Sequence, residues 1–183
     1  MLPTMTSVYV VDLYTEFENS GIHIWVDGGW GVDALLEKQT RPHKDLDIVI
    51  QQKDIPKFRQ FLGVRRYKDI KQEDARPHNF VIADDQSHEI DVHVIVIDDK
   101  GNGIYGPIEN GEQYPAPSLV GVGMIGGKRV RCISPEWMVK FHCGYQLAEK
   151  DLQDVSALCE RFGIDLPEEY VKLSNKIRGQ QSN

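Results

Sequence analysis

The run Asp45-Leu46-Asp47-Ile48-Val49-Ile50 constrains this chain more than any other segment. Its β-rich composition predicts a strand over Asp45–Ile50. Side chains alternate between the faces of a strand, so Asp45 and Asp47 leave one face while Leu46, Ile48 and Ile50 cover the other. Two carboxylates are thereby aimed at one point. At about 4 Å such like charges repel by about 1 kcal/mol in water, and by more when desolvated. A divalent cation removes that cost. Hard oxygen donors suit Mg2+, which takes one or two protein carboxylates and fills its shell with water and phosphate oxygens. An isolated Asp-x-Asp also arises on ordinary surface strands and turns, so the pair needs support from elsewhere in the chain.

Two further features supply it. Gly28-Gly29 separates a predicted strand, Ile22 to Val26, from a predicted helix, about Trp30 to Lys38. A glycine pair there serves either a tight turn or close backbone approach to a phosphate at a helix N-terminus. The alternating run Glu89-Ile90-Asp91-Val92-His93-Val94 predicts another strand, with the apolar residues buried and Asp91 on the opposite face. Glu89 and His93 share that face. Glu89 is a reserve candidate for a general base and His93 for an acceptor contact, and solvated strand positions are the plainer reading of both. Arg41 and His43, just before the aspartates, are candidates for the phosphate oxygens of a nucleotide or for a salt bridge within the loop.

The rest of the chain reads as alternating helices and strands. Apolar spacing from Val8 to Phe17, closed by Gly21, predicts a first helix, and Lys53 to Leu62 another. Asn79–Ala83 and Glu89–Ile97 predict two strands around the polar turn Asp84-Asp85-Gln86-Ser87. Asp98 to Gly127 is rich in Gly and Pro and reads as a long loop carrying substrate contacts or a lid. Lys128–Ile133 predicts a last strand. Ser134-Pro135 opens a helix to about Ala148, Lys150 to Phe162 forms the next, and a shorter one follows Pro167 and fades from Gly179. The expected fold is α+β: a mixed β-sheet flanked by helices, with a helical C-terminal part. Residues 1–127 are expected to form the catalytic domain and 128–183 a mainly helical region completing the substrate cleft.

Charge and composition narrow the function. A net charge of −7 disfavours a nucleic-acid partner, because such affinity rests on Lys and Arg neutralising phosphates. The same acidity suits a cationic small molecule, and it is also an ordinary solubility device. No apolar run approaches the roughly 20 residues needed to cross a bilayer, so a cytoplasmic protein without a membrane partner is expected. Cys132, Cys143 and Cys159 lack paired spacing and read as buried thiols.

Gly-Gly, then Asp-x-Asp, then a lone Asp on a later strand resembles the polymerase-beta-type nucleotidyltransferase superfamily. The fuller run Trp25-Val26-Asp27-Gly28-Gly29-Trp30-Gly31-Val32-Asp33, with Arg41, His43, Asp45 and Asp47, resembles the lincosamide and aminoglycoside nucleotidyltransferases. Cys132-Ile133-Ser134 and His142-Cys143-Gly144-Tyr145, with Asp151 and Asp154, are most similar to the lincosamide branch. The resemblance implies that Asp45 and Asp47 hold Mg2+ against ATP or another nucleoside triphosphate. It implies that Asp91 joins a second Mg2+ or takes the proton of the acceptor hydroxyl. Gly28, Gly29, Arg41 and His43 would bind the nucleotide, and Glu89, His93 and Tyr145 the acceptor. Asp151, Asp154 and Lys150 are further candidates for substrate contact, whereas Trp30 is expected to pack in the core and Asp33 to favour the positive helix end. The implied reaction moves AMP to a hydroxyl of a small antibiotic, lincosamide or aminoglycoside, with a homodimer open. The alternative is an antitoxin-like minimal nucleotidyltransferase acting on a partner protein, against which the third aspartate and the long helical C-terminal part argue.

Overall fold

The architecture is taken from a computed structural model that describes residues 5–73, 75–107 and 111–181. Helix α1 (Ser7–Asn19) is capped by Thr6, whose hydroxyl accepts from Tyr9 N at 3.2 Å, and it buries Val10, Leu13, Tyr14 and Phe17. Strand β1 (Ile24–Val26) leads into α2 (Gly28–Leu36). That helix starts at the glycines rather than at Trp30, because Asp27 caps it: Oδ1 accepts from Gly28 N at 2.9 Å. Strand β2 (Asp45–Gln51) and a short 3-10 turn precede α3 (Ile55–Val64). Strands β3 (Lys68–Asp69), β4 (Asn79–Ala83) and β5 (Glu89–Ile97) follow. The β4–β5 turn is tied by the Asp84 carboxylate, which accepts from Gln86 N at 2.8 Å and His88 N at 2.9 Å.

The stretch from Asp98 to Gly127 is not a long loop. It contains β6 (Gly103–Tyr105), β7 (Glu112–Tyr114), a 3-10 helix over Ala116–Val120, and β8 (Gly121–Ile125). Residues 108–110 lie outside the described residues. Three-residue strands are too short to show an alternating pattern, and the glycines that read as breakers are packing positions. A Cβ at Gly103 would stand 2.5 Å from Ile95 Cδ1, and one at Gly123 would stand 2.3 Å from the Ala34 carbonyl oxygen.

Strand β9 (Lys128–Cys132) precedes α4 (Pro135–Phe141), which stops well before Ala148; Gly144, at φ +86°, lies in the non-helical stretch that follows. Helix α5 (Glu149–Phe162) ends at Gly163 in the left-handed region. Helix α6 (Glu168–Gln181) is as long as α5, at 14 residues each, and passes through Gly179.

The strands form one mixed sheet in the order β3-β4-β5-β2-β1-β9-β8, with β6 paired to β5 and β7 to β6. The pairs β2–β5 and β1–β9 are parallel and the others antiparallel. Apolar residues of the central strands, Leu46, Ile48, Ile50, Ile90 and Val92 among them, join Phe17, Trp30 and Phe58 in one buried core. This is the expected α+β arrangement, and the carboxylates of β2 and β5 stand on its central pair of strands. Among the described residues no helix is long and apolar enough to cross a membrane.

Candidate active site

The parallel register of β2 against β5 pairs Asp45 with Glu89, Asp47 with Asp91 and Val49 with His93. Asp47 therefore stands beside Asp91 and two residues from Asp45, with buried Asp27 one strand away. Its carboxyl is pushed up from 3.8 to about 8, by burial first and then by the charges of Asp45, Asp27 and Asp91. Crowding of this kind is relieved by a proton or by a cation among the carboxylates. Among the described residues no three His, Cys, Asp or Glu side chains enclose a metal ion by themselves. An open carboxylate set fits Mg2+, whose remaining ligands are water and substrate phosphates.

Both glycines make room for site side chains. Gly28 has φ +54°, and a Cβ there would lie 2.0 Å from Asp47 Oδ2. A Cβ at Gly29 would lie 2.5 Å from His43 Nδ1 and 2.9 Å from Arg41 Nη2. Neither position tolerates a side chain without displacing the residues around it.

Two chambers meet at Asp47. One, of about 370 Å3, is lined by Gly28, Gly29, Arg41, His43, Asp45, Asp47 and Lys150, with Tyr145 and His142 at one side. The other, of about 380 Å3, is walled by the aromatic rings of Tyr105, Tyr114 and Phe141, with His93, Asp27 and Glu112. Gly28, Asp47, His142 and Tyr145 line both. His93 reaches the aromatic chamber with Nε2 3.8 Å from Asp91 Oδ1 and Nδ1 3.0 Å from Tyr114 Oη. Glu89, half-buried beside Asp45, lines neither chamber.

Comparisons with known proteins give the family. The family model of aminoglycoside-2''-adenylyltransferase matches residues 9–158. The chain belongs to that family. It is 31% identical over 150 residues to a lincosamide resistance protein of Staphylococcus haemolyticus, an alignment covering 82% of this chain and 90% of that one. Its structure is similar to lincomycin-bound LnuA, a lincosamide antibiotic adenylyltransferase, with a TM-score of 0.69, 31% identity and 82% and 92% of the two chains covered. ANT(2'')-Ia in complex with adenylyl-2''-tobramycin shares the fold, with a TM-score of 0.68, 18% identity and 96% and 98% coverage.

In this nucleotidyltransferase several residues that line the chambers carried no expected role of their own. Asp27 is 7% exposed, lines the aromatic chamber and sits 3.5 Å from Tyr114 Oη. Its position before Gly-Gly, at a strand end, was the signal that could have marked it. Tyr105 and Tyr114 come from the stretch read as a loop, and Phe141 from the last turn of α4. Burial, and after it the negative Asp27, raises the Tyr114 hydroxyl and holds it protonated. Three of the expected roles change. Asp33 does not merely face the helix end, because it is buried and binds Thr40 and His43. Asp154 pairs with Arg41 at 2.7 Å instead of facing a substrate. Asp151 lines the chamber of Gly28, Gly29 and Arg41, but its Oδ2 accepts from Ala148 N, at 2.7 Å, at the start of α5. Trp30 is 1% exposed, in the core as expected, and the three thiols are unpaired, with Cys132 and Cys159 buried and Cys143 half-buried.

Proposed function

We propose that this enzyme transfers AMP from ATP to a hydroxyl of a small antibiotic, in a metal-dependent reaction that releases pyrophosphate. One observation carries the reading: Asp47 stands on the wall shared by a chamber rich in cationic and N–H groups and a chamber walled by aromatic rings. A nucleotide in the first and an acceptor in the second would meet at the carboxylates.

On this reading Arg41, steadied by His43, and Lys150 receive the triphosphate beside Gly28-Gly29, and Asp45, Asp47 and Asp91 hold Mg2+. Bound there, Mg2+ would neutralise phosphate charge and lower the pKa of the attacking hydroxyl. The chain itself orients the acceptor between Tyr105, Tyr114 and Phe141 and accepts its proton at Asp91. Neither Asp91 nor Glu89 lines a chamber wall, and Asp91 is favoured as that base because it is the register partner of Asp47 and lies 3.8 Å from His93 Nε2, whereas Glu89 pairs with Asp45. Residues 128–183 complete the cleft through His142, Tyr145 and Lys150. The need for ATP suits a cytoplasmic enzyme.

The aromatic chamber favours an acceptor with one amine over a polycation. Of its carboxylates, Asp27 caps α2 and Asp47 belongs to the metal set, which leaves Glu112 for an ammonium group. A lincosamide carries one amine and needs apolar contact, and the relative at 31% identity is named for lincosamides.

Mass spectrometry of lincosamides, aminoglycosides and metabolites incubated with Mg2+ and each nucleoside triphosphate tests the reading. The expected product is a lincosamide gaining one AMP. No nucleotide gained by any acceptor overturns it.

A further inference from the structure

We infer that Asp33 and Asp154 are positioning residues for nucleotide binding, holding the Arg41 guanidinium at the nucleotide chamber from two sides. The inference rests on assigning that chamber to the nucleotide. Asp33 lies on α2 and Asp154 on α5, and each is 2% exposed. Asp33 Oδ1 accepts from Thr40 N at 2.9 Å and from Thr40 Oγ1 at 2.7 Å. Its Oδ2 is 2.5 Å from His43 Nε2. With Nε2–H donated to Asp33, the lone pair of Nδ1 faces Arg41, and Nη1 donates to it at 3.1 Å. The Trp30 ring, 4.7 Å from the His43 ring, packs against it.

The second grip comes from 113 residues away, where Arg41 Nη2 donates to Asp154 Oδ2 at 2.7 Å. A guanidinium has five N–H donors, and these contacts use two. Nε has no partner among the described side chains and backbone groups, although it is buried. Arg41 thus lines the chamber in a fixed orientation with donors to spare, the arrangement that recognises phosphate oxygens with least ordering cost. Gly29 belongs to the same device, since a Cβ there would strike His43 and Arg41. Because Asp154 sits on α5, the packing of α5 against α2 fixes where the guanidinium stands at the chamber.

Calorimetric titration of the full chain with a non-hydrolysable ATP analogue and with AMP, each with Mg2+, tests this. Wild type should bind the triphosphate more tightly. Asp154→Asn and Asp33→Asn should lose roughly tenfold in affinity for the triphosphate, the scale of one charge-assisted hydrogen bond, with AMP little changed. Asp154→Glu should recover part of the loss. Folded variants with unchanged triphosphate affinity, or with equal losses for both ligands, overturn the inference. If the aspartate variants do not fold, Arg41→Lys decides it: a lysine keeps the charge but cannot be gripped from both sides, and unchanged triphosphate affinity is the overturning result. A wild type that does not distinguish ATP from AMP overturns the chamber assignment itself, and the inference with it.

Discussion

Asp47 and Asp91 are register partners on the parallel strands β2 and β5, so their carboxylates stand side by side on one face of the sheet. The cost of that juxtaposition appears in Asp47, whose carboxyl is pushed up to about 8. Below about pH 4 it is protonated in both the folded and unfolded chains. As pH rises the unfolded chain ionises first, from its ordinary value of 3.8, and the folded chain only near 8. The metal-free protein should therefore lose stability progressively across that window and level off above it. Asp47→Asn removes the charge. It should abolish transfer while raising the metal-free melting temperature at pH 8 by about 2–4 °C, the shift that about 1 kcal/mol gives a protein of this size. Calorimetry of the two proteins checks it, and a variant that melts lower at pH 8 contradicts the crowding argument.

Cation binding should be linked to the same proton. Below about 8 the ion must displace it from Asp47, so Mg2+ affinity in the presence of an ATP analogue should rise about tenfold per pH unit between 6 and 7.5, then flatten. Titrations at a series of pH values, in buffers of different ionisation enthalpy, would count the protons released. Uptake of protons is the outcome that sinks the assignment.

The glycines should be separable by what each one seats. Gly28→Ala meets the Asp47 carboxylate in a left-handed backbone, and a loss of about 1–3 kcal/mol in stability with no measurable transfer is expected. Gly29→Ala presses on His43 and Arg41 and should act mainly on nucleotide affinity. Identical effects of both changes on ATP binding and on stability would contradict the separate roles.

The aromatic chamber predicts a split in kinetic constants. Phe141→Ala removes a wall ring 5.0 Å from Tyr114 and should raise the acceptor KM by roughly tenfold while leaving the ATP KM unchanged. Glu112→Gln should do the same for acceptors carrying an amine and have little effect on an N-acylated analogue. A rise in the ATP KM instead would reverse the assignment of the two chambers.

Tyr114→Phe keeps the ring and removes the hydroxyl that binds His93 Nδ1 at 3.0 Å. It should lower kcat several-fold at little cost in acceptor KM, because His93 loses its fixed orientation beside Asp91. Unchanged kcat would show that His93 is held by its packing alone.

Legibility followed the range of the interactions. The strands Asn79–Ala83 and Glu89–Ile97 were readable to the residue, the first as a β-rich apolar run closed by a polar turn and the second by the alternation of Glu89–Val94, and both are local properties of the sequence. The Asp-x-Asp pair and Asp91 were readable for the same reason. The strands between Asp98 and Gly127 were not, because β6 and β7 are three residues long and carry no period, while the glycines of β6 and β8 are set by distant neighbours, Ile95 and Ala34.

The amino-acid order alone determined which carboxylates share a face and where a glycine pair interrupts strand and helix, and from these came the expectation of a cation and a phosphate near Asp45 and Asp47. Only the tertiary structure decided that Asp91 is the neighbour of Asp47, that Asp154 grips Arg41, and that Tyr105, Tyr114 and Phe141 wall a second chamber. Those pairings join residues up to 113 positions apart. Strand order and helix docking create them, and both come from burying the apolar faces together, a requirement of the whole chain that no local pattern encodes.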